Sequence, residues 1–246
     1  MNRFTLCFVS LSFFTQSFAQ NESYLHNRYI LERMGTQGTV ANGVPIGNFL
    51  GPPPGVVGDV YLHHDYRNAG FILYGNEKVV SRIFPARLDL QRNQFDLLTP
   101  SGEKALSGNL VKSMLWRDSA TNSPQYFVNA KDFKTKDEVP YLGFFEVLAE
   151  GQISLFKKSE VIFKPAEQQV KAHSVGSKDD KFIKKSKLYF TSGTTVSEVP
   201  GRKDLLKLFH EKQAEVTNFI ETNKINFKRE NHLRALFDYY NSLVKK

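Results

Sequence analysis

The stretch YLGFFEVLAEGQISLFKKSEVIF, residues 141–163, decides the fold. Two runs rich in Val, Ile, Leu and Phe meet at Glu150-Gly151, a turn signal. The second run opens with Gln152-Ile153-Ser154-Leu155, which alternates polar and apolar residues. Alternation of period two is the mark of a strand with one buried face. Two such runs joined by so short a link form an antiparallel hairpin, because a parallel connection needs a crossover of a dozen residues or more.

The same texture extends towards the N-terminus. DVYLHHDY (59–66), GFILYG (70–75), KVVSRIFPARLDL (78–90), QFDLLT (94–99), KALSGNLVKSMLW (104–116) and QYFVNA (125–130) are short apolar runs. Arg67-Asn68-Ala69-Gly70, Gly75-Asn76 and Pro100-Ser101-Gly102 punctuate them. The links leave no room for helical crossovers, so an antiparallel meander is expected and a parallel α/β sheet is not. A further strand, KLYFTS (187–192), follows the polar stretch PAEQQVKAHSVGSKDDK (165–181), which reads as a mobile hairpin tip. Adjacent aromatics such as Tyr126-Phe127, Phe144-Phe145 and Tyr189-Phe190 must point to opposite faces of a strand; one of each pair could build a carbohydrate-stacking or partner surface, but the expected arrangement is two layers, with the helical hairpin covering one sheet face.

The chain ends in helical spacing. Leu205, Leu206, Phe209, Val216, Phe219 and Ile220 share one face, as do Leu233, Leu236, Phe237, Tyr240, Leu243 and Val244. Asn226 fits an N-cap. The link NKINF is short, so the two helices should pack antiparallel. The expected class is α+β, mainly antiparallel β, as a roll, sandwich or partly open barrel, with a C-terminal helical hairpin.

Outside this core, MNRFTLCFVSLSFFTQSFAQ has Arg3, an apolar run from Phe4 to Phe14, and small residues at Ser17 and Ala19. It reads as a signal peptide of residues 1–19. The run is shorter than the about 20 residues a membrane helix needs. Residues 20–57 read as an N-terminal arm and a tether, since 35–58 hold seven glycines and four prolines. The β domain spans 58–200, with the insertion at about 165–186, and the helical hairpin 201–246. Cys7, the only cysteine, leaves with the signal. Disulfides, thiolate catalysis and cysteine–zinc sites are thereby excluded from the mature chain.

The formal net charge of +8 is uneven. Residues 20–156 carry 13 Lys and Arg against 14 Asp and Glu, whereas residues 157–246 carry 19 against 11. A basic C-terminal part suits an anionic lipid head group, an acidic polysaccharide or an acidic protein surface. In an exported chain nucleic acid is not the expected partner.

Catalytic patterns are weak. His63 and His64 would face opposite ways on a strand and cannot chelate one ion together. Ser101-Gly102-Glu103-Lys104 matches Ser-x-x-Lys but lies in a turn. Asp132, Asp137 and Glu138 lack the spacing of a calcium loop, and nothing fixes the separation of the carboxylates Glu146 and Glu150. No cofactor or metal site is expected.

The order of signal peptide, β-meander with YLGFFEVLAEGQISLFKK, then RKDLLKLFHEKQAEVTNFIETNKINFKRENHLRALFDYYNSL, resembles a broad group of secreted Bacteroidota proteins. The likeness covers about 58–246 and is carried by the Lys-Asp-Leu-Leu-Lys-Leu-Phe helix start and the Tyr-Tyr-Asn helix end. It implies export to the envelope and brings no catalytic residues with it. The leading expectation is a non-enzymatic envelope protein, periplasmic or associated with the outer membrane, that binds a protein partner. The candidate contacts are Pro52, Pro53 and Pro54, which suit a polyproline II segment, with Tyr239, Lys245 and Lys246 at the other end. The alternatives are a barrel-like carrier of an apolar ligand and a hydrolase of envelope glycans or lipids.

Overall fold

The computed structural model describes residues 46–48, 56–75, 79–117, 124–165 and 179–244. The strands are β1 (Ile46–Asn48), β2 (Arg67–Leu73), β3 (Val79–Asp89), β4 (Gln94–Thr99), β5 (Gly102–Ser107) and β6 (Val111–Arg117), followed by β7 (Pro124–Asn129), β8 (Phe144–Ala149), β9 (Ser154–Lys164), β10 (Lys181–Thr191) and β11 (Val196–Glu198). They form one open sheet in the order β1-β5-β4-β3-β2-β6-β7-β8-β9-β10-β11, with antiparallel pairing between every neighbouring pair. Three helices follow: α1 (Arg202–Leu208), α2 (Gln213–Thr222) and α3 (Glu230–Val244). The expected class, α+β and mainly antiparallel, is the observed one.

Link lengths force this sheet to curl. In its order β5 and β6 stand four places apart, about 19 Å across a flat sheet. The 3-10 turn Gly108–Leu110 is all that joins them, and four Cα steps reach at most about 14 Å. Gly108 makes the turn possible, since a Cβ there would overlap Asn93.

A strap at residues 56–62 draws the curl tighter. The Val57 N–H donates to the Asp180 carbonyl at 3.0 Å, and the Phe182 N–H donates to the Val57 carbonyl at 2.9 Å. A few residues on, the Leu90 N–H donates to the Val60 carbonyl at 3.0 Å and the Leu62 N–H to the Leu88 carbonyl at 2.8 Å. One short segment therefore touches β10 and the end of β3, six places apart in the sheet. Gly58 has φ +111° and lies so close to β10 that a Cβ would sit 2.6 Å from the Phe182 carbonyl, which confines this position to glycine. DVYLHHDY at 59–66 has the apolar texture of a strand, but the chain bends through 62–65 before β2 begins.

Alternation splits the aromatic doublets between two faces. Phe127 and Phe144 lie in the concave core of the roll, with Phe71, Phe95, Met114 and Trp116. Tyr126, Phe145 and Tyr189 lie on the other face, under Phe133 and Tyr141 of the β7–β8 connection. Phe145 stacks on Phe156 at 5.3 Å and meets Phe133 edge-on at 5.6 Å. The second face is therefore covered along these strands, by a connection that gave no apolar run to notice. Beyond the roll, Leu148, Leu155, Leu188 and Phe190 join the core under the helices.

The first helical stretch is broken where its apolar spacing reads as continuous. A 3-10 turn, His210–Lys212, separates α1 from α2, with Phe209 at φ −98° and ψ 27°. No Gly or Pro marks the break in the sequence. Asn226 opens a turn ahead of α3, its Oδ1 accepting from the Lys228 N–H at 2.9 Å, while Nδ1 of His232 accepts from the Asn226 N–H at 3.0 Å. The strand read at 187–192 begins at Lys181, so β9 and β10 pair over eleven residues each.

The last helix is fastened by Asn241. Its Oδ1 accepts from the Ile153 N–H at 3.1 Å. Its Nδ2 donates to the carbonyls of Ile153 at 2.9 Å and Glu150 at 3.3 Å. Asn241 thereby satisfies the polar backbone of the β8–β9 turn, and Gly151 makes room for it, since a Cβ there would overlap the amide. Truncation to Asn241→Ala strands buried backbone groups at a cost of about 1–3 kcal/mol each, so the urea midpoint should fall by the equivalent of about 2–4 kcal/mol. Gly151→Ala should also destabilise, but the double variant should be little worse than Asn241→Ala alone, because the clash goes with the amide. Additive losses in the urea series would contradict the lock.

Candidate functional site

The concave face is not apolar throughout. Between the core of the roll and the core under the helices runs a polar row. Glu146 and Lys157 are direct cross-strand partners on β8 and β9. Gln125 on β7 donates its Nε2 to Glu146 Oε1 at 3.0 Å and accepts from Arg67 Nη1 of β2 at 3.0 Å. Lys157 Nζ lies 3.8 Å from Glu146 Oε2 and 3.0 Å from Glu230 Oε2 at the start of α3. Burial pushes the Glu146 carboxyl above its ordinary range, against the opposing pull of Lys157 and Gln125. A carboxyl raised in this way can serve as a general acid. The crevice beside it, however, is bounded by Leu62, Leu88, Leu90, Phe127 and Phe144 and has a volume of about 10 Å³, room for one water. The row's evident work is mechanical: Lys157 ties the N-terminus of α3 to the sheet.

The two histidines separate as alternation requires. His63 turns inward against Trp116, with ring centroids 5.4 Å apart, and its Nε2 is buried without a hydrogen-bond partner, as is Trp116 Nε1. Burial, then the Arg67 charge, brings the His63 imidazole down to about 4, the nearby Gln125 amide offsetting part of this. His64 points to solvent, 3.9 Å from Asp59. Among the described residues no three His, Cys, Asp or Glu side chains converge as metal ligands.

The remaining candidates are engaged elsewhere. Ser101 sits in the β4–β5 turn with Oγ 3.0 Å from Thr99 Oγ1. Asp132 accepts from the Tyr74 hydroxyl at 2.7 Å, and Glu138 pairs with Lys134 at 2.8 Å. Glu150 lies in the turn held by Asn241, roughly 13 Å along the chain from Glu146. Tyr239 is half-buried and stacks on Phe219 of α2, centroids 4.1 Å apart and planes 11° apart, so one ring face already serves the helix–helix contact. Pro52, Pro53, Pro54, Lys245 and Lys246 lie outside the described residues.

The feature that sequence reasoning missed is the outer part of the β9–β10 hairpin. From residue 159 on β9 and up to residue 187 on β10 the two strands are largely exposed, with the strap at 56–62 bonded to the outer end of β10 and Lys184 Nζ donating to Asp59 Oδ2 at 2.9 Å and to the Tyr61 carbonyl at 2.8 Å. Register places Lys158 opposite Lys187, Glu160 opposite Lys185, Ile162 opposite Ile183 and Lys164 opposite Lys181 on one face. Lys158 contacts Glu160, and Lys187 contacts Glu198 of β11 at 2.9 Å. The opposite face carries Ser159 and Ser186 with their hydroxyls 2.8 Å apart, and Phe163 meeting Phe182 edge-on at 5.7 Å. Ile162 and Phe163 are 42% and 48% exposed. The signal was present in KKSEVIFK, whose alternation continues to Lys164. It was masked on the other strand by the polar residues that precede Leu188.

Comparison with protein-family models, curated proteins and solved structures returned no match. Function therefore rests on the chain's own geometry: a filled polar row that holds elements together, and an exposed basic ribbon.

The row sets a pH dependence. With His63 held near 4, below the roughly 6.5 of an unfolded histidine, the fold favours the neutral ring. Its contribution to stability is present above pH about 6.5 and is lost as the pH falls from there towards 4. Glu146, raised rather than lowered, works in the opposite sense, so the comparison must be with a single-residue variant. In urea titrations at pH 7 and pH 4.5, His63→Gln should lose less stability on acidification than the wild type. Equal losses would contradict the assignment.

Proposed function

We propose that this chain is an exported, non-enzymatic cell-envelope protein, periplasmic or associated with the outer membrane, that works as a binding or assembly subunit. The observation that carries this reading is the exposed part of the β9–β10 ribbon, which displays lysines around large apolar side chains. Isolated exposed apolar residues are common, but a cluster rimmed by charge is the usual composition of a protein-docking patch. The reading is supported by the leader-like residues 1–19, by the basic C-terminal part, and by the resemblance to secreted Bacteroidota proteins. Among the described residues no helix is long and apolar enough to cross a membrane. The interior also favours work at the surface. Aromatic rings fill both faces of the sheet, and the crevice at the seam has a volume of only about 10 Å³, which supports docking over the enclosure of an apolar ligand.

Tagged full-length protein, cross-linked in the envelope of its native host and purified, should migrate as a complex of fixed stoichiometry. Recovery of the wild type as a lone monomer would argue decisively against a binding or assembly role.

A further inference from the structure

We propose that residues 183–187 of β10 form an open strand edge to which a short, uncharged, extended segment of a partner protein adds. The inference rests on the binding reading above and names what the partner presents.

Three observations converge on it. First, backbone groups on this edge are unmet. β9 occupies one side of β10 along its whole length. On the other side, the Phe182 N–H donates to the Val57 carbonyl of the strap, and the Leu188 carbonyl accepts from the Val199 N–H. Alternate residues of a strand direct their N–H and C=O to the same side, so those of Lys184 and Ser186 point outward as well. Among the described residues no backbone group bonds to them there. Secondly, the edge is straight and weakly guarded. The β9–β10 register runs without a bulge, and KFIKKSKLYFT holds no proline. Bulges, prolines and lysines are the usual protections of an edge strand. Here Lys184 is folded back onto Asp59 and the Tyr61 carbonyl, and Lys187 onto Glu198. Thirdly, the opening has two stops. Val57 bridges Lys181 at one end, and β11 pairs from Tyr189 onward at the other. The stretch between them is about 17 Å of strand, room for about five extended residues.

The same edge selects its occupant. Outward N–H and C=O groups in strand register are matched by the main chain of another polypeptide, which is how strand addition recognises extended segments. A second copy fits poorly. Two β10 edges paired antiparallel must set outward residue against outward residue. Centred on Lys184 the pair runs into the strap beside Phe182, and centred on Ser186 it runs into Val199 beside Leu188. Centring on Lys185 clears both stops but sets Lys185 directly against its own copy, like charge on like charge. The paired lysines offer an acidic segment little, and the exposed Lys185 opposes a basic one, so the segment is uncharged.

The proposal is tested on the full chain by fluorescence anisotropy. The probe is a disulfide-closed β-hairpin peptide whose free edge reads Thr-Val-Thr-Val-Thr, preorganised so that little ordering opposes binding. Its control carries N-methyl groups on the outward amides of that edge, which leaves the hairpin's own ladder intact. The probe should bind at least about tenfold tighter than the control, the value of one hydrogen bond, and salt should change this little because the probe is uncharged. Ser186→Pro removes an outward N–H without breaking a bond to β9, so its urea midpoint should stay close to that of Ser186→Ala while probe binding falls to the level of the control. Ser186→Ala loses the same contact with the Ser159 hydroxyl but keeps the N–H, and should bind like wild type. Should Ser186→Pro fail to fold, the two peptides on the wild type decide. Equal binding of the two peptides, or no binding of either, would overturn the proposal. So would a wild-type protein that sediments as a dimer which Ser186→Pro dissociates, since the edge would then belong to a second copy. If the cross-linked wild type yields a stoichiometric complex that Ser186→Pro retains, this edge is not the contact, and the binding reading survives without it.

Discussion

Three residues join β5 to β6, and the rest of the architecture follows from that shortness. A link of this length cannot cross four strand spacings, so the sheet has to roll. Rolling converts one face into a concave interior, which is why Phe71, Phe95, Phe127 and Phe144 from four different strands meet around a single core. It also brings the end of β3 within reach of β10, where the strap at 56–62 bonds to both. The helices are the remaining requirement. Beyond the roll the same face continues through Leu148, Leu155 and Phe190, and without a cover this apolar surface would stand in water.

The strand content was legible because alternation is a local property. The hairpin at 141–163 shows its period and its turn within two dozen residues, and its class needs nothing further. What could not be read were relations between distant residues. Gly58 and Gly108 look like ordinary loop glycines in the sequence; their role appears only when Phe182 and Asn93 arrive beside them. The cover over the second face escaped notice because Phe133 and Tyr141 are single aromatics in a polar connection, with no period to detect. The break between α1 and α2 lies in a run of good helix formers, where tertiary packing overrides propensity.

The candidate residues divide in the same way. Alternation separated His63 from His64, and the structure places them on opposite sides of the chain. Glu146 was visible as a carboxylate on a strand, but its partners Lys157 and Gln125 come from two other elements and Lys157 reaches on to Glu230 of α3, and only their meeting shows that the row holds α3 against the sheet. The basic ribbon is the reverse case. Each of its lysines was counted in the charge balance, yet a count has no register, and it is register that sets lysine opposite lysine.

The Asn241 lock carries an implication for the order of events in synthesis. Ile153 and its two backbone hydrogen bonds wait on a side chain 88 residues further along the chain. At a synthesis rate of roughly 5–20 residues per second, the β8–β9 turn is made several seconds before the group that satisfies it exists. The β8–β9 turn therefore cannot reach its final state until α3 has been made, and an early hairpin waits with unsatisfied backbone groups for a late side chain.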